Sequence, residues 1–336
     1  QKKKMKLKIK RVDLKPVGAV EKYNVLLQKD IDNLKLHEKN MDDVSCPVCN
    51  SRESNLVGEK YNFKLVSCSS CSFTFINPRP SPDSMEFYYA NSKASAFFQT
   101  NIIGPTEHVR IEKIVKPRLN YLNDTFPNKG KWLDIGCSTA TLLSEGIKSG
   151  WDGVGLDFEQ TAIDQATKKG VPMLIKPIEV IKPKNEYDLI TMFEVLEHLS
   201  NPKENLEACY NANKIGGSIV ITVPNIDGFE FETLGMVHTN ICPPSHLNHF
   251  SPSTLPKLLS DIGYAITEVE TPGYLDVDNV RNAFLHNKIS TTGNKFLDKI
   301  ISSENESSEE SREALQEIIF KSNNSGHLRV VATKKA

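Results

Sequence analysis

The chain has 336 residues, of which 39% are hydrophobic and 25% charged, so it can bury a sizeable core. Its net charge of −1 conceals an asymmetry, because seven of the first eleven residues are basic and the remainder carries −8. This acidic body argues against a protein that wraps nucleic acid. No apolar run approaches the roughly 20 residues of a membrane span, and no apolar signal region follows the basic start, so we expect a cytoplasmic protein.

The first 42 residues predict a basic arm followed by a helix. Residues 2–12 alternate lysine with apolar residues, which fits a solvated arm or an edge strand. Further along, Leu27, Ile31 and Leu34 recur at helical spacing, so residues 21–41 predict an amphipathic helix.

Four cysteines come next, and their spacing predicts a metal site. Cys46 and Cys49 form one CxxC pair, and Cys68 and Cys71 form a second pair after 18 intervening residues. Two such pairs are typical of a tetrahedral zinc ion, with disulfides as the alternative. A site closed by four thiolates leaves no open position for substrate, so we predict a structural role. Residues 43–80 are therefore assigned to a small zinc-binding module.

Two helices are predicted before the central motif. The first begins at residues 85–89, and the second covers residues 108–121 with an interruption or kink at Pro117.

Residues 131–157 predict a nucleotide-binding unit of strand, turn, helix and strand. An apolar run at residues 132–135 predicts the first strand, Gly136 begins the turn, and residues 141–148 and 153–156 predict the helix and the second strand. Asp157 follows Asp134 by 23 residues, which is about where such a unit carries its ribose-binding carboxylate.

The turn lacks the dinucleotide pattern G-x-G-x-x-G, because Ser138 and Thr141 stand at the second and third glycine positions. Asp134 at the strand tip would repel phosphate but would favour a cationic ligand such as S-adenosylmethionine. The stretch resembles motif I of the class I methyltransferases, whose D-x-G-x-G-x-G pattern is kept here as Asp134, Gly136, Ser138 and Ala140. A ligand-free turn is the alternative for this stretch taken alone.

Later segments resemble the same family in the same order. Residues 187–193 resemble its fourth strand, residues 214–225 its glycine turn and fifth strand, and residues 246–264 the histidine-bearing segment of a subgroup acting on sugars, quinones and related small molecules. The resemblance implies an α/β fold with a seven-stranded Rossmann-like methyltransferase sheet over residues 81–336. Its last strand, at residues 327–333, would enter antiparallel between strands five and six.

The resemblance also implies which residues contact the cofactor and which proteins carry a similar N-terminal module. Besides Asp134, Gly136 and Ser138, the positions implied to contact the cofactor are Asp157, Phe158, Ile178, Phe193 and Glu194. Residues 64–89 resemble the zinc-binding module of sugar methyltransferases from bacterial surface-polysaccharide and antibiotic pathways.

Glu194, Glu197 and His198 form a first candidate for the catalytic chemistry. If a helix begins here, the three side chains share one face and could hold Mg²⁺ or another divalent cation. Similar E-x-x-E-H segments bind metal in small-RNA 2′-O-methyltransferases and occur in ubiquinone O-methyltransferases. Alternatively, the acidic residues stabilise the helix N-terminus and His198 packs against the sheet.

His246 and His249 form a second candidate, in a long segment (residues 226–250) after the fifth strand. Long loops at this edge of an α/β sheet are usually functional, and either histidine could accept the proton of a hydroxyl. We favour His246. The segment is one insertion in the methyltransferase domain. The other covers residues 276–325, where helices at residues 276–301 and 309–321 flank a Ser/Glu-rich stretch interpreted as a solvated turn.

Together these patterns predict a methyltransferase that uses S-adenosylmethionine and structural Zn²⁺. We expect it to act on a hydroxyl, or a carbon, of a sugar-like small molecule such as a sugar or nucleotide-sugar. Two alternatives remain open: a metal-assisted O-methyltransferase of a quinone, phenol or RNA end, and a non-catalytic cofactor-binding scaffold.

Overall fold

A computed structural model describes residues 9–16, 18–36 and 41–335 of the chain. Most of the predicted basic arm, residues 2–8, lies outside these ranges. None of the helices in the described residues combines the length and the apolar character that a bilayer span requires.

Thirteen strands occur in the described residues. They are β1 (Met41–Asp42), β2 (Ser54–Lys60), β3 (Phe63–Cys68), β4 (Thr74–Ile76), β5 (Arg79–Pro80), β6 (Lys131–Ile135), β7 (Asp152–Leu156), β8 (Met173–Leu174), β9 (Tyr187–Phe193), β10 (Asn213–Pro224), β11 (Asn248–His249), β12 (Tyr264–Glu270) and β13 (His327–Lys334).

Fifteen α-helices occur in the same residues. They are α1 (Arg11–Leu14), α2 (Ala19–Leu36), α3 (Pro82–Asn91), α4 (Lys93–Phe98), α5 (Gly104–Arg110), α6 (Lys116–Thr125), α7 (Thr141–Lys148), α8 (Gln160–Lys168), α9 (Ile178–Ile181), α10 (Pro202–Ala212), α11 (Phe229–Leu234), α12 (Thr254–Ile262), α13 (Asp276–Leu285), α14 (Lys295–Ser302) and α15 (Glu306–Lys321).

The centre of the protein is a seven-stranded sheet in the order β12-β13-β10-β9-β6-β7-β8. The strands from β6 to β10 run parallel, and β13 is antiparallel to both of its neighbours. The predicted α/β sheet and the antiparallel entry of its last strand are therefore confirmed. In such sheets ligands bind at the carboxyl ends of the parallel strands, which here are the ends of β6, β7, β9 and β10.

Both faces of this sheet are buried, because alternate residues of each strand point to opposite sides. Leu133, Ile190 and Ile219 belong to the core on one face. Trp132 and Leu189 belong to the core on the other. The buried pattern explains why the central strands read as nearly continuous apolar runs.

The long helical segment before β6 differs from its prediction. It continues from Lys93 to Thr125 as α4, α5 and α6, joined by two π-type turns at Gln99–Ile103 and Ile111–Val115. Pro105 and Pro117 each stand two residues after the end of one of these turns. Proline lacks an amide proton, and a π-type turn changes the local hydrogen bonding at such a position. The prediction identified the interruption near Pro117 but began the helix too late.

The interpretation of the Ser/Glu-rich stretch as a solvated turn is wrong. Most of this stretch belongs to α15. Asn305 caps this helix by accepting a hydrogen bond from the amide of Ser308. Acidic residues near a helix N-terminus are electrostatically favourable, so a run of glutamates is compatible with helix here. The predicted helix at residues 276–301 is also divided, into α13 and α14.

A second sheet contains the cysteine segment and one strand from far along the chain. Its order is β11-β4-β3-β2, with β11 antiparallel to β4. Phe73 beside this sheet packs on Phe250, with ring centres 5.1 Å apart, in the core of the central sheet. Leu65 and Ile76 instead pack in a cluster with Ile31 of α2. The segment predicted as a module is thus packed between α2 and the central sheet.

Candidate functional site

The turn after β6 has a left-handed backbone at all three glycine positions of the motif. Gly136 has φ +67°, and Ser138 and Ala140 have φ +49° and +52° although neither is glycine. For a residue with a Cβ this conformation costs about 1–2 kcal/mol, so small side chains have replaced glycine without changing the path of the chain. Gly136 also faces Val195 so closely that an added Cβ would lie 2.4 Å from its Cγ2.

Asp157 holds this turn against the end of β7. Its Oδ2 accepts the amide of Ser138 at 2.8 Å, and its Oδ1 accepts the amides of Phe158 and Glu159 at 2.8 and 3.0 Å. A carboxylate oxygen has two lone pairs, so Oδ2 retains one for a further donor such as a ribose hydroxyl.

Asp134 is buried at the tip of β6 and is tied to the neighbouring strand. Thr191 donates its hydroxyl proton to Oδ1 of Asp134 at 2.5 Å and accepts the indole N–H of Trp132 at 2.7 Å. Burial raises the pKa of Asp134 to about 7, although the Thr191 hydrogen bond and the charge of Arg118 oppose the shift. A carboxyl in this state gains most from a ligand that brings positive charge.

Arg118 of α6 is a candidate residue that the sequence analysis missed. Its guanidinium lies 4.2 Å from the ring centre of Phe193 and interacts electrostatically with Glu194 and Asp134. A cation placed beside two carboxylates suits the zwitterionic methionine end of S-adenosylmethionine. No motif marked this residue, because it comes from a helix 16 residues before Asp134.

The other predicted cofactor contacts differ in accessibility. Phe158 is 58% exposed next to Asp157, so its ring is free to cover a ligand. Ile178, the first residue of α9, is 2% exposed and packs in the main core. Phe193 ends β9 under the Arg118 guanidinium.

The segment after β9 does not begin with a helix. Glu194 has φ +60°, and only Leu196–His198 forms a short 3₁₀ turn. The carboxylate of Glu194 therefore turns away from Glu197: its Oε1 accepts the hydroxyl of Thr222 at 3.0 Å, and its Oε2 lies 3.6 Å from Nε2 of His327. The expectation that the helix would place Glu194, Glu197 and His198 on one face is wrong.

Glu197, His198 and His246 instead form a centre, with ligand atoms all within 4.8 Å of one another. Nδ1 of His198 lies 2.9 Å from the carbonyl of Ser245, and Nδ1 of His246 lies 2.8 Å from the carbonyl of Asn240. A carbonyl only accepts, so both Nδ1 atoms carry the proton and both Nε2 atoms present a lone pair. Neither oxygen of the buried Glu197 has a hydrogen-bond partner.

The protonation equilibria of this centre follow from its burial. Burial and the nearby charge of Glu194 raise the pKa of Glu197 well above its usual value. Burial lowers the pKa of His198 and, together with the neighbouring His198 and His249, lowers that of His246 well below the usual value. Both imidazoles are therefore neutral at pH 7, as metal-ligating histidines must be.

His249, the other predicted base, lies outside this centre. It is a buried residue of β11, its Nε2 has no hydrogen-bond partner, and its ring centre is 6.5 Å from that of His246. Burial lowers the pKa of His249 to about 3.

His327 is a further imidazole that the sequence analysis did not select. It begins β13, which runs antiparallel, so it is paired with Pro224 at the carboxyl end of β10. Its side chain is 42% exposed and faces Glu194. The antiparallel direction of β13 thus places His327 at the carboxyl ends of the parallel strands.

The four predicted zinc ligands converge. Sγ of Cys46 and Cys71 are 3.6 Å apart, those of Cys49 and Cys68 are 3.5 Å apart, and all four lie within 4.8 Å of one another. A tetrahedral zinc ion with bonds of about 2.3 Å requires sulfur separations of roughly 3.8 Å, so the geometry fits.

The two CxxC turns also share one backbone geometry. In each, the residue after the second cysteine donates its amide to the carbonyl of the first at 2.9 Å, and this residue, Asn50 or Ser72, has a positive φ. The matching turns present each pair of thiols to the same point.

Comparison with known proteins identifies the central part of the chain. A family model described as "Methyltransferase domain" matches residues 107–269. This stretch is a methyltransferase domain. The prediction of an S-adenosylmethionine-dependent methyltransferase is thereby confirmed.

The methyltransferase domain is similar to curated enzymes and to solved structures. The ubiquinone biosynthesis O-methyltransferase of Methylococcus capsulatus is 25% identical over 158 residues, which is 43% of this chain and 67% of that protein. The enzyme of that name from Coxiella burnetii is 32% identical over 117 residues, covering 32% of this chain and half of that protein. The crystal structure of an S-adenosylmethionine-dependent methyltransferase from Archaeoglobus fulgidus superposes with a TM-score of 0.45 at 20% identity, covering 67% and 96% of the two chains.

Some candidate residues lie inside the matched methyltransferase domain, and others lie outside it. Asp134, Asp157, Glu197, His198 and His246 lie within it. The four cysteines and His327 lie outside the matched residues.

Proposed function

We propose that the protein transfers a methyl group to a hydroxyl of a small molecule with the help of a divalent cation held by Glu197, His198 and His246. The observation that carries the proposal is the pair of unpartnered carboxylate oxygens on buried Glu197, facing two imidazole lone pairs.

Three acceptors without a donor make an unfavourable arrangement unless something positive lies between them. A buried carboxylate without a hydrogen bond or a counter-charge is strongly disfavoured. A cation satisfies all three acceptors at once, and the backbone carbonyls that fix both Nδ1–H groups are typical partners of metal-ligating histidines. Two imidazoles and one carboxylate suit Mn²⁺, Fe²⁺ or Zn²⁺, and Mg²⁺ with more retained water.

The surrounding residues divide the work of the reaction. Asp134 and Arg118 favour the ammonium and carboxylate of the methyl donor, and Asp157 favours its ribose. A divalent cation at the centre would lower the pKa of a hydroxyl beside it, which a weak nucleophile needs. His327, oriented by Glu194, lies at the same edge of the sheet with an exposed ring.

The proposed acceptor carries a hydroxyl next to a second oxygen. Such a pair can occupy two open positions beside the three protein ligands, and it occurs both in catechol-type phenols and in sugar diols. The relatives named above are ubiquinone biosynthesis enzymes, which supports the phenolic alternative. A sugar or nucleotide-sugar acceptor remains the prediction from the sequence, and an acidic body offers no support for an RNA end.

Binding of Mn²⁺ to the purified protein tests the centre without knowledge of the acceptor. We expect the wild type to bind one Mn²⁺, measured by the loss of the free-ion electron paramagnetic resonance signal. His198→Ala should lose this binding. His286→Ala is the matched control, because His286 is an exposed histidine at the end of α13.

Activity then follows on a panel of catechols and sugar diols, with zinc content checked after mild chelation. Methyl transfer should stop in the chelated protein and return with Mn²⁺ or Mg²⁺. A wild type that binds no Mn²⁺, or full transfer in His198→Ala, would refute the proposed function.

A further inference from the structure

The short strand β11 is the edge strand of the cysteine-bearing sheet and lies next to the turn that carries Glu197 and His198. On one side it pairs with β4, and the amide of Ile76 donates to the carbonyl of Leu247 at 2.9 Å. On the other side the amide of Leu247 donates to the carbonyl of Glu197 at 2.9 Å. The backbone around β11 therefore bonds to both neighbours.

The side chain of Asn248 makes the second connection between β11 and this turn. Its Nδ2 donates to the carbonyl of Leu199 at 2.7 Å and reaches the carbonyl of Leu196 at 3.5 Å. These two carbonyls bracket Glu197 and His198 in sequence. Asn248 itself is fully buried, and its bond to Leu199 is partly buried.

The third member of the centre is fixed by the same segment. His246 stands two residues before Asn248, and the carbonyl of Ser245 holds Nδ1 of His198. The distance between His246 and the Glu197–His198 pair is thus set by the bonds of Leu247 and Asn248 to the turn.

We propose that Asn248 is a positioning residue for the Glu197–His198–His246 centre. This inference rests on the proposed cation site, and it assigns to Asn248 the task of holding the turn at the distance that three ligands of one ion require. Asn248 is not one of the three candidate ligand residues. Its amide acts through the backbone carbonyls of Leu196 and Leu199.

The expected size of the effect follows from the geometry. Removing the amide leaves the partly buried carbonyl of Leu199 without this donor, so the turn is free to move toward another partner. Residues that orient metal ligands typically change metal affinity 10–100-fold when they are replaced. We expect Asn248→Ala to weaken Mn²⁺ binding at least about tenfold, which corresponds to about 1.4 kcal/mol.

A matched control separates positioning from general loss of stability. Asn213 is also fully buried, and its Nδ2 donates to the carbonyls of Ser218 and Tyr187 at 3.2 and 3.4 Å. Asn213 is the first residue of β10, so it lies at the amino ends of the parallel strands, whereas the centre lies at their carboxyl ends. Asn213→Ala should lower the melting temperature but leave Mn²⁺ affinity within about twofold.

Asn248→Asp is titrated if Asn248→Ala does not fold, because it keeps the size of the side chain and removes both amide donors. Arg79→Lys is a further variant at one end of the same turn. Arg79 of β5 donates from Nη1 to the carbonyl of Ser200 at 3.1 Å, one residue beyond the turn that Asn248 holds. Arg79→Lys should weaken Mn²⁺ binding by a smaller factor of about two to five, because it loosens the same turn from one end.

The measurement is a Mn²⁺ titration of wild type and variants, each with its zinc content determined and its melting temperature recorded. Weaker binding in Asn248→Ala with intact zinc content, and unchanged binding in Asn213→Ala, supports the proposal. Unchanged binding in Asn248→Ala overturns it while leaving the proposed function in place, as does an equal loss in Asn213→Ala. If Asn248→Ala does not fold, unchanged binding in Asn248→Asp overturns it. A wild type without Mn²⁺ binding overturns both.

Discussion

The ionisation of Asp134 makes cofactor binding depend on pH. Without ligand the pKa of this carboxyl is about 7, because it is buried. S-adenosylmethionine carries an ammonium and a sulfonium and should bind the ionised form of Asp134. Binding therefore requires loss of a proton below pH 7, and its apparent affinity should fall as the pH is lowered.

The magnitude follows from the fraction of Asp134 that is ionised. At pH 6 about one molecule in ten has an ionised Asp134, so the dissociation constant should be roughly eightfold higher than at pH 7.5, or about 1.3 kcal/mol. Calorimetric titration with S-adenosylmethionine between pH 5.5 and 7.5 measures the slope while the ligand's own amino group stays protonated. Asp134→Asn is the control: it should bind weakly and without this slope.

The same residue should affect the stability of the ligand-free protein in the opposite direction. The folded-state pKa of about 7 exceeds the usual value of 3.8, so the folded protein binds the proton more tightly than the unfolded chain. Between about pH 4 and 7 the free energy of unfolding then decreases as pH rises, by up to about 4 kcal/mol for a shift of this size. Asp134→Asn should melt at a higher temperature than wild type at pH 8. A wild type with pH-independent affinity, or an Asp134→Asn variant with the same slope, would refute the reasoning.

Two further predictions concern the cysteines and the glycine turn. Elemental analysis should find one structural zinc per chain, and Cys49→Ser should release it and lower the melting temperature. Cys209 is a buried thiol outside the cluster, so Cys209→Ser should leave the zinc bound. Zinc-free wild-type protein would contradict this prediction. Gly136→Ala adds a Cβ 2.4 Å from Val195 at a left-handed φ. It should therefore lower the free energy of unfolding by at least about 2 kcal/mol and abolish cofactor binding. Ala140→Gly in the same turn should change the free energy of unfolding by no more than about 1 kcal/mol. Normal stability and cofactor affinity in Gly136→Ala would show that the turn is not held as described.

The sequence predicted what local patterns determine. The apolar runs of β6 and β9 and the glycine turn between β6 and α7 required only near neighbours, and strand β9 matches its predicted range, residues 187–193. The order of family-like segments predicted the sheet. The motif could be recognised although Ser138 and Ala140 replace glycine, because the backbone, and not the side chain, forms the turn.

The candidate site depends on contacts that local patterns do not encode. Because Glu194 takes a left-handed conformation, the predicted shared helix face does not form. Glu194 lies beside His327, and Glu197 and His198 lie beside His246. His246 reaches Glu197 through the bonds that Leu247 and Asn248 make to a turn about 50 residues earlier in the chain. Arg118 and His327 come from elements distant in sequence, and only the folded sheet places them at one edge.

The β4–β11 pairing also bears on how the chain folds during synthesis. Phe75 pairs with Asn248, about 170 residues later, so at roughly 5–20 residues per second the ribosome needs some ten to thirty seconds to supply the partner strand. The four cysteines lie within 26 residues and can bind zinc long before that. An ion taken up early would keep the β2–β3–β4 meander ordered while its open edge still lacks β11. The metal would then matter most to the nascent chain, whose exposed strand edge is a template for wrong pairing.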